Sequence, residues 1–148
     1  MPVEIERKFL ISGEPPLENG VDMVQGYLCK DIERTVRVRA EGERAVITIK
    51  GATGGISRAE FGYEIPLADA LELLGMATGP LVEKTRYYHR VGKHTWEVDV
   101  FKGENDGLIV VEIELGSEDE VFEIPEWVGD EVSRDPRYSN SALSVMPF

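Results

Sequence analysis

Cysteine is nearly missing from this sequence: Cys29 is the only one in 148 residues. A lone thiol excludes an internal disulfide framework and a zinc site built from cysteines. Histidine is almost as scarce, and His89 and His94 have no His or Cys at metal-ligand spacing, so both are expected at the surface. No apolar stretch approaches the length of a membrane span, and the N-terminus has no apolar signal core. A cytoplasmic chain, with no membrane partner, is the expectation. Basic charge is in deficit too. Sixteen Lys and Arg face 28 Asp and Glu, a formal net charge of −12, which argues against nucleic acid as a partner. No repeat, low-complexity tract or linker interrupts the chain, so residues 1–148 are expected to form one domain.

What the sequence does contain is period-two alternation, segment after segment. "VEIERKFLI" (3–11) sets Glu4, Glu6 and Lys8 on one face. "ERTVRVRA" (33–40) aligns Thr35, Arg37 and Arg39, and "RAVITIK" (44–50) aligns Val46, Thr48 and Lys50. "SRAEFGYEIP" (57–66) puts Arg58, Glu60, Gly62 and Glu64 together. "EKTRYYHRV" (83–91) aligns Lys84, Arg86, Tyr88 and Arg90. "HTWEVDVF" (94–101) and "LIVVEIEL" (108–115) show Glu97 with Asp99 and Glu112 with Glu114. With "DMVQGYLCK" (22–30) these make eight strands joined by short turns, hence mostly antiparallel. Two helices are expected, over 67–75 and over 117–122, where Ser117 and Glu120 form a capping-box pattern. The tail from 125 to 143 reads as a loop with one helical turn.

The charged faces need a physical reason. Residues two apart on a strand stand about 6.5–7 Å from each other, so faces of one sign repel themselves. Exposed cross-strand pairs contribute only tenths of a kcal/mol and would not sort signs strand by strand. Here the third and sixth strands are basic on that face and the seventh and eighth acidic. A divalent cation relieves the carboxylates, and a phosphate polyanion relieves the guanidinium and ammonium groups. Closing eight strands into a barrel turns both sets inward around a wet lumen. The predicted fold is therefore a mainly β, closed eight-stranded antiparallel barrel, a tunnel with a charged lumen. A few short helices, the C-terminal segment or a second subunit cover its outward apolar faces, so a homodimer is expected.

These residues also carry a resemblance. "EIERK" resembles the Glu-x-Glu-x-Lys signature of the CYTH superfamily, the triphosphate tunnel metalloenzymes. It is joined in order by "QGYL", "VRVR", "TIK", "RAEFGYEI", "EKTRY", "WEVDVF", "VEIEL" and "PEWVGDEVS…YSNSAL", so the likeness covers nearly the whole chain. It is most similar to the short bacterial tripolyphosphatase branch. The resemblance implies a tunnel open at both ends that binds a triphosphate or polyphosphate with Mg²⁺ or Mn²⁺ and hydrolyses a phosphoanhydride. It implies metal ligands at Glu4, Glu6, Glu112 and Glu114, with Asp99 on a matching inward position. Phosphate ligands are implied at Lys8, Arg37, Arg39, Lys50, Lys84 and Arg86, with Arg58 also facing inward. Tyr27 is expected to touch phosphate or orient Lys84, and Glu60 or Glu64 to orient the attacking water. Many members carry a second acid where this chain has Gly62. A class IV adenylyl cyclase, a thiamine triphosphatase and a non-catalytic polyphosphate-binding barrel are the alternatives.

Overall fold

Alternating strands with one charged and one apolar face can bury both only by curling, and they do. A computed structural model describes residues 3–31, 33–52 and 56–139. Strands β1 (Val3–Ile11), β2 (Val21–Asp31), β3 (Arg34–Glu41), β4 (Arg44–Gly51) and β5 (Ser57–Ile65) come first. Helix α1 (Leu67–Leu74) follows, then β6 (Val82–Val91), β7 (His94–Lys102), β8 (Ile109–Glu114) and β9 (Val128–Glu131). The sheet runs β5-β4-β3-β2-β6-β7-β8-β1-β9, and β5 also pairs with β1, which closes eight strands into a ring. All pairings are antiparallel. The closing seam is short: Val3, Glu4 and Ile5 against Ala59, Arg58 and Ser57.

The outside of the ring is apolar and covered. Phe9, Trp96, Val98, Val111 and Ile113 form one buried cluster, over which Phe122 and Trp127 of the C-terminal segment lie. On the other side α1 packs Ala70 and Leu74 against Val38 and Ala45. Gly26 permits α1 and the segment after it to lie close, because a Cβ there would stand 3.2 Å from Leu74 Cδ2 and 2.8 Å from both Ala77 Cβ and Leu81 Cδ2.

Three local expectations fail. Residues 117–122 are a turn rather than a helix. Ser117 Oγ donates to Asp119, and Glu120 accepts from the Gly116 N–H at 2.7 Å and pairs with His94. Phe122 packs edge-on against Phe9 and Trp96. His94 is thus buried, and half-buried His89 stacks edge-on against Trp127. The tail contributes β9, paired with β1 through Phe9 and Ile11, and its helical turn is a short 3-10 turn at Pro136–Tyr138. The final part of the "YSNSAL" motif, from residue 140 on, lies outside the described residues.

The lumen is not charged along its whole length. On the strand faces that point inward, the charges stop at one end. Val82, Phe101, Leu108 and Val110 form a buried cluster there, with Leu10 and Tyr138 packed on it. Among the described residues the charged part of the lumen is therefore a cup, with this apolar stretch as its floor along β6, β7, β8 and β1.

Candidate active site: a charged cup inside the ring

Register brings the acids together. Glu6 stands opposite Glu114 and Lys8 opposite Glu112 across the β1–β8 ladder, and Glu97 stands opposite Glu112 across β7–β8. One carboxylate oxygen each from Glu4, Glu6 and Glu114 lies within 4.8 Å of the others. Three converging hard oxygen donors suit a Mg²⁺- or Mn²⁺-type cation far better than a soft metal. The donor set therefore fits the metal expected from the sequence.

Of the fifteen side chains singled out in the sequence, twelve line one cavity: Glu4, Glu6, Lys8, Tyr27, Arg37, Arg39, Lys50, Arg58, Glu60, Arg86, Glu112 and Glu114. Its volume is about 80 Å³, below the few hundred Å³ usual for drug-sized organic ligands. Thr35, Thr48, Glu97 and Ser139 line it as well. The first three lie on the charged faces of their segments, so the alternation already marked them. Nothing in the sequence pattern marked Ser139.

Three of the fifteen lie elsewhere. Glu64 is at the rim, exposed, and accepts from Arg44 Nε at 2.7 Å, so it does not reach the cavity. Lys84 and Asp99 lie beneath the lining, almost wholly buried. Asp99 accepts from Lys84 Nζ at 2.8 Å and from Arg86 Nε and Nη2 at 2.7 and 2.9 Å. A carboxylate shared between two cations is a strut for Arg86, and it is absent from the carboxylate triad. Lys84 Nζ also sits 5.6 Å from the Phe101 ring centroid, at the junction of charge and floor. Glu112, likewise outside the triad, is 3.6 Å from Lys8 Nζ and 3.9 Å from Arg86 Nη2.

The remaining cations are held by partners on neighbouring strands. Lys50 Nζ donates to both Glu4 oxygens at 3.0 and 2.9 Å, and Arg58 Nε lies 3.7 Å from Glu4. Arg86 also reaches Glu97 at 3.4 Å. Arg39 Nε donates to Gln25 Oε1 at 3.0 Å, and Arg37 Nη2 to Thr48 Oγ1 at 3.4 Å.

Crowding like charges in a buried space divides the carboxyls into two groups. Burial acts to raise Glu4, but Lys50, the contact with Glu60 and Arg58 outweigh it and hold Glu4 low. Asp99 and Glu112 are held low in the same way, by Lys84 and Arg86 and by Lys8 and Arg86. Burial, then the neighbouring Glu112, lifts Glu6 to about 8. Burial, then Glu4, lifts Glu60 to about 7, and burial lifts Glu97 to about 7 against the pull of Arg86.

A stability prediction comes directly from these shifts. Unfolded Glu titrates near 4.5, so between pH 5 and 7 the native state holds protons on Glu6, Glu60 and Glu97 that the unfolded chain has lost. Stability falls with rising pH wherever the native state binds more protons. Glu4, Asp99 and Glu112 are ionised in both states across that window and add no slope. Metal-free protein should therefore melt at progressively lower temperature from pH 5 to 7 by scanning calorimetry. A Tm that rises across this range would contradict the assignment.

Comparison with known proteins agrees with this geometry. The CYTH domain family matches residues 2–145. The inorganic triphosphatase of Acetivibrio thermocellus is 47% identical, over 98% of this chain and 95% of that protein. The inorganic triphosphatase of Nitrosomonas europaea is 40% identical, over 96% of this chain and 97% of that protein. A solved inorganic triphosphatase structure aligns at TM-score 0.71 with 36% identity, covering 100% of this chain and 99% of its own. With a nearly full-length family match, a matching ring of strands and a cup of sorted charges, this chain belongs to the CYTH domain family.

Proposed function

We propose that this protein hydrolyses inorganic tripolyphosphate to pyrophosphate and phosphate in the charged cup, with a divalent cation. The observation that carries the reading is the convergence of three carboxylates and six cavity-lining cations on one small, almost wholly polar space. The inorganic triphosphatases to which the chain is similar support it.

Glu4, Glu6 and Glu114 would hold Mg²⁺ or Mn²⁺, with Glu112 behind them keeping Lys8 in place. When bound, the cation offsets negative charge on the phosphate oxygens, the main demand of phosphoryl transfer. Lys8, Arg37, Arg39, Lys50, Arg58 and Arg86 fix the chain in line, and Asp99 with Lys84 keeps Arg86 from swinging. A water oxygen attacks the terminal phosphorus and the bridging P–O bond breaks. Pyrophosphate departs with that oxygen. Glu60, on the lining beside Glu4, takes up the water proton. Tyr27, 5% exposed beside the cations, donates its hydroxyl to a phosphate oxygen.

A class IV cyclase needs a slot for a purine. The cavity is lined almost wholly by charged and hydroxyl side chains and offers no apolar face on which a base could stack, which favours the inorganic chain over nucleotides. Purified protein should be given tripolyphosphate, ATP and thiamine triphosphate, each with Mg²⁺ or Mn²⁺. Phosphate release from tripolyphosphate should exceed that from either organic triphosphate by about tenfold or more. Cyclic AMP and pyrophosphate from ATP would overturn the reading, as would tight anion binding without turnover under both metals.

A further inference from the structure

The cations around the cup are not equivalent. Lys8, Lys50, Arg58, Lys84 and Arg86 each stand within 4 Å of a carboxylate. Arg37 and Arg39 do not form an ion pair with any described residue. Their partners are neutral: the Thr48 hydroxyl and the Gln25 amide oxygen. Gln25 is fully buried on β2, registered opposite Arg39 of β3. Its orientation is set by chemistry, because a guanidinium only donates and must meet the amide oxygen. That leaves Gln25 Nε2 as a buried donor without an acceptor, and Arg37 Nε is another. The wall formed by β2, β3 and β4 thus carries positive charge that no described carboxylate offsets, at Arg37 and Arg39 on the lining, whereas the opposite wall supplies the acids.

We infer that this wall is the strongest anion seat in the cup, and that Gln25 is a positioning residue which holds Arg39 without neutralising it. The inference rests on the cup being a phosphate site, as proposed above. A glutamate at position 25 would hold the guanidinium in the same place but cancel its charge. An amide there gives the same aim and leaves the charge for the substrate. Thr48 does the same for Arg37.

The test measures tripolyphosphate binding by calorimetry in EDTA, and kcat and KM with Mg²⁺, for wild type and four variants. Gln25→Glu should weaken binding and raise KM by about tenfold while changing kcat less than about threefold, the mark of lost uniform binding. Gln25→Met should weaken binding about threefold by itself and add nothing to Arg39→Met, because Gln25 acts through Arg39. A folded Gln25→Glu protein that binds like wild type would overturn the inference. So would Gln25→Met and Arg39→Met penalties that multiply in the double variant. If Gln25→Glu does not fold, the cycle built from the Met variants decides alone. Wild type that binds tripolyphosphate without hydrolysing it would sink the hydrolase reading, and the binding ratios would still decide this one. Wild type that binds no tripolyphosphate would sink both.

Discussion

Glu4→Gln should lower kcat for tripolyphosphate hydrolysis by roughly 10³-fold while anion binding in EDTA stays equal or tightens. The substitution keeps the volume and one acceptor oxygen and removes a single charge. Glu4 is the member of the triad that its surroundings keep ionised, with Lys50 at 2.9 Å and Arg58 at 3.7 Å. Without it the cation loses a ligand, and Lys50 and Arg58 lose their counter-charge. Freed of that partner, both become better phosphate ligands, so the two measurements should move in opposite directions. General unfolding of the site would move them together. A variant that retains near wild-type kcat at saturating Mg²⁺ would remove Glu4 from the metal set.

That opposition depends on charge sorting, which was legible in the sequence. Alternation alone placed Glu4, Arg37, Lys50 and Glu112 on inward faces, and closure of the ring brings these distant strands onto one cavity. What the alternation could not supply is depth. Leu10, Val82, Phe101 and Val110 share the parity of the charged residues, yet they form the floor. Period two says which way a side chain points and is silent on where along the axis a wet lumen becomes a dry one. Partner choice was hidden for a related reason, since it depends on strand register, which alternation does not carry. Asp99 falls opposite Arg86 and not beside Glu4, so an acid on the correct face became a strut. β9 escaped because "VGDE" has four residues and no alternation. The helix expected at 117–122 failed because a cap contributes about 1 kcal/mol, less than seating Phe122 on the aromatic cluster. Gln25 escaped because an uncharged amide between Val24 and Gly26 makes no contrast of sign.

Asp99→Ala separates strut from ligand. It leaves Lys84 and Arg86 buried side by side without their shared carboxylate. Removing one partner of a buried ion pair costs about 3–5 kcal/mol, a large part of the 5–15 kcal/mol that holds a domain together. For a chain of this length the Tm should fall by roughly 10–20 °C, and it should do so with no metal present. Lys84 can shed part of the cost by losing its proton, because burial has already drawn the ammonium down to about 7. Arg86 has no such escape, since a guanidinium stays charged. Arg86 would turn toward Glu97 and Glu112, at 3.4 and 3.9 Å, and leave its place on the cavity wall. Activity would then fall through KM as well as kcat. Asp99→Asn, which keeps an acceptor but not the charge, should fall between the variant and wild type in Tm. A residue that serves the metal behaves differently: its loss abolishes the rise in Tm that Mg²⁺ produces, and the metal-free Tm moves less than the metal-bound one. That pattern in Asp99→Ala would return Asp99 to the metal set and remove the strut.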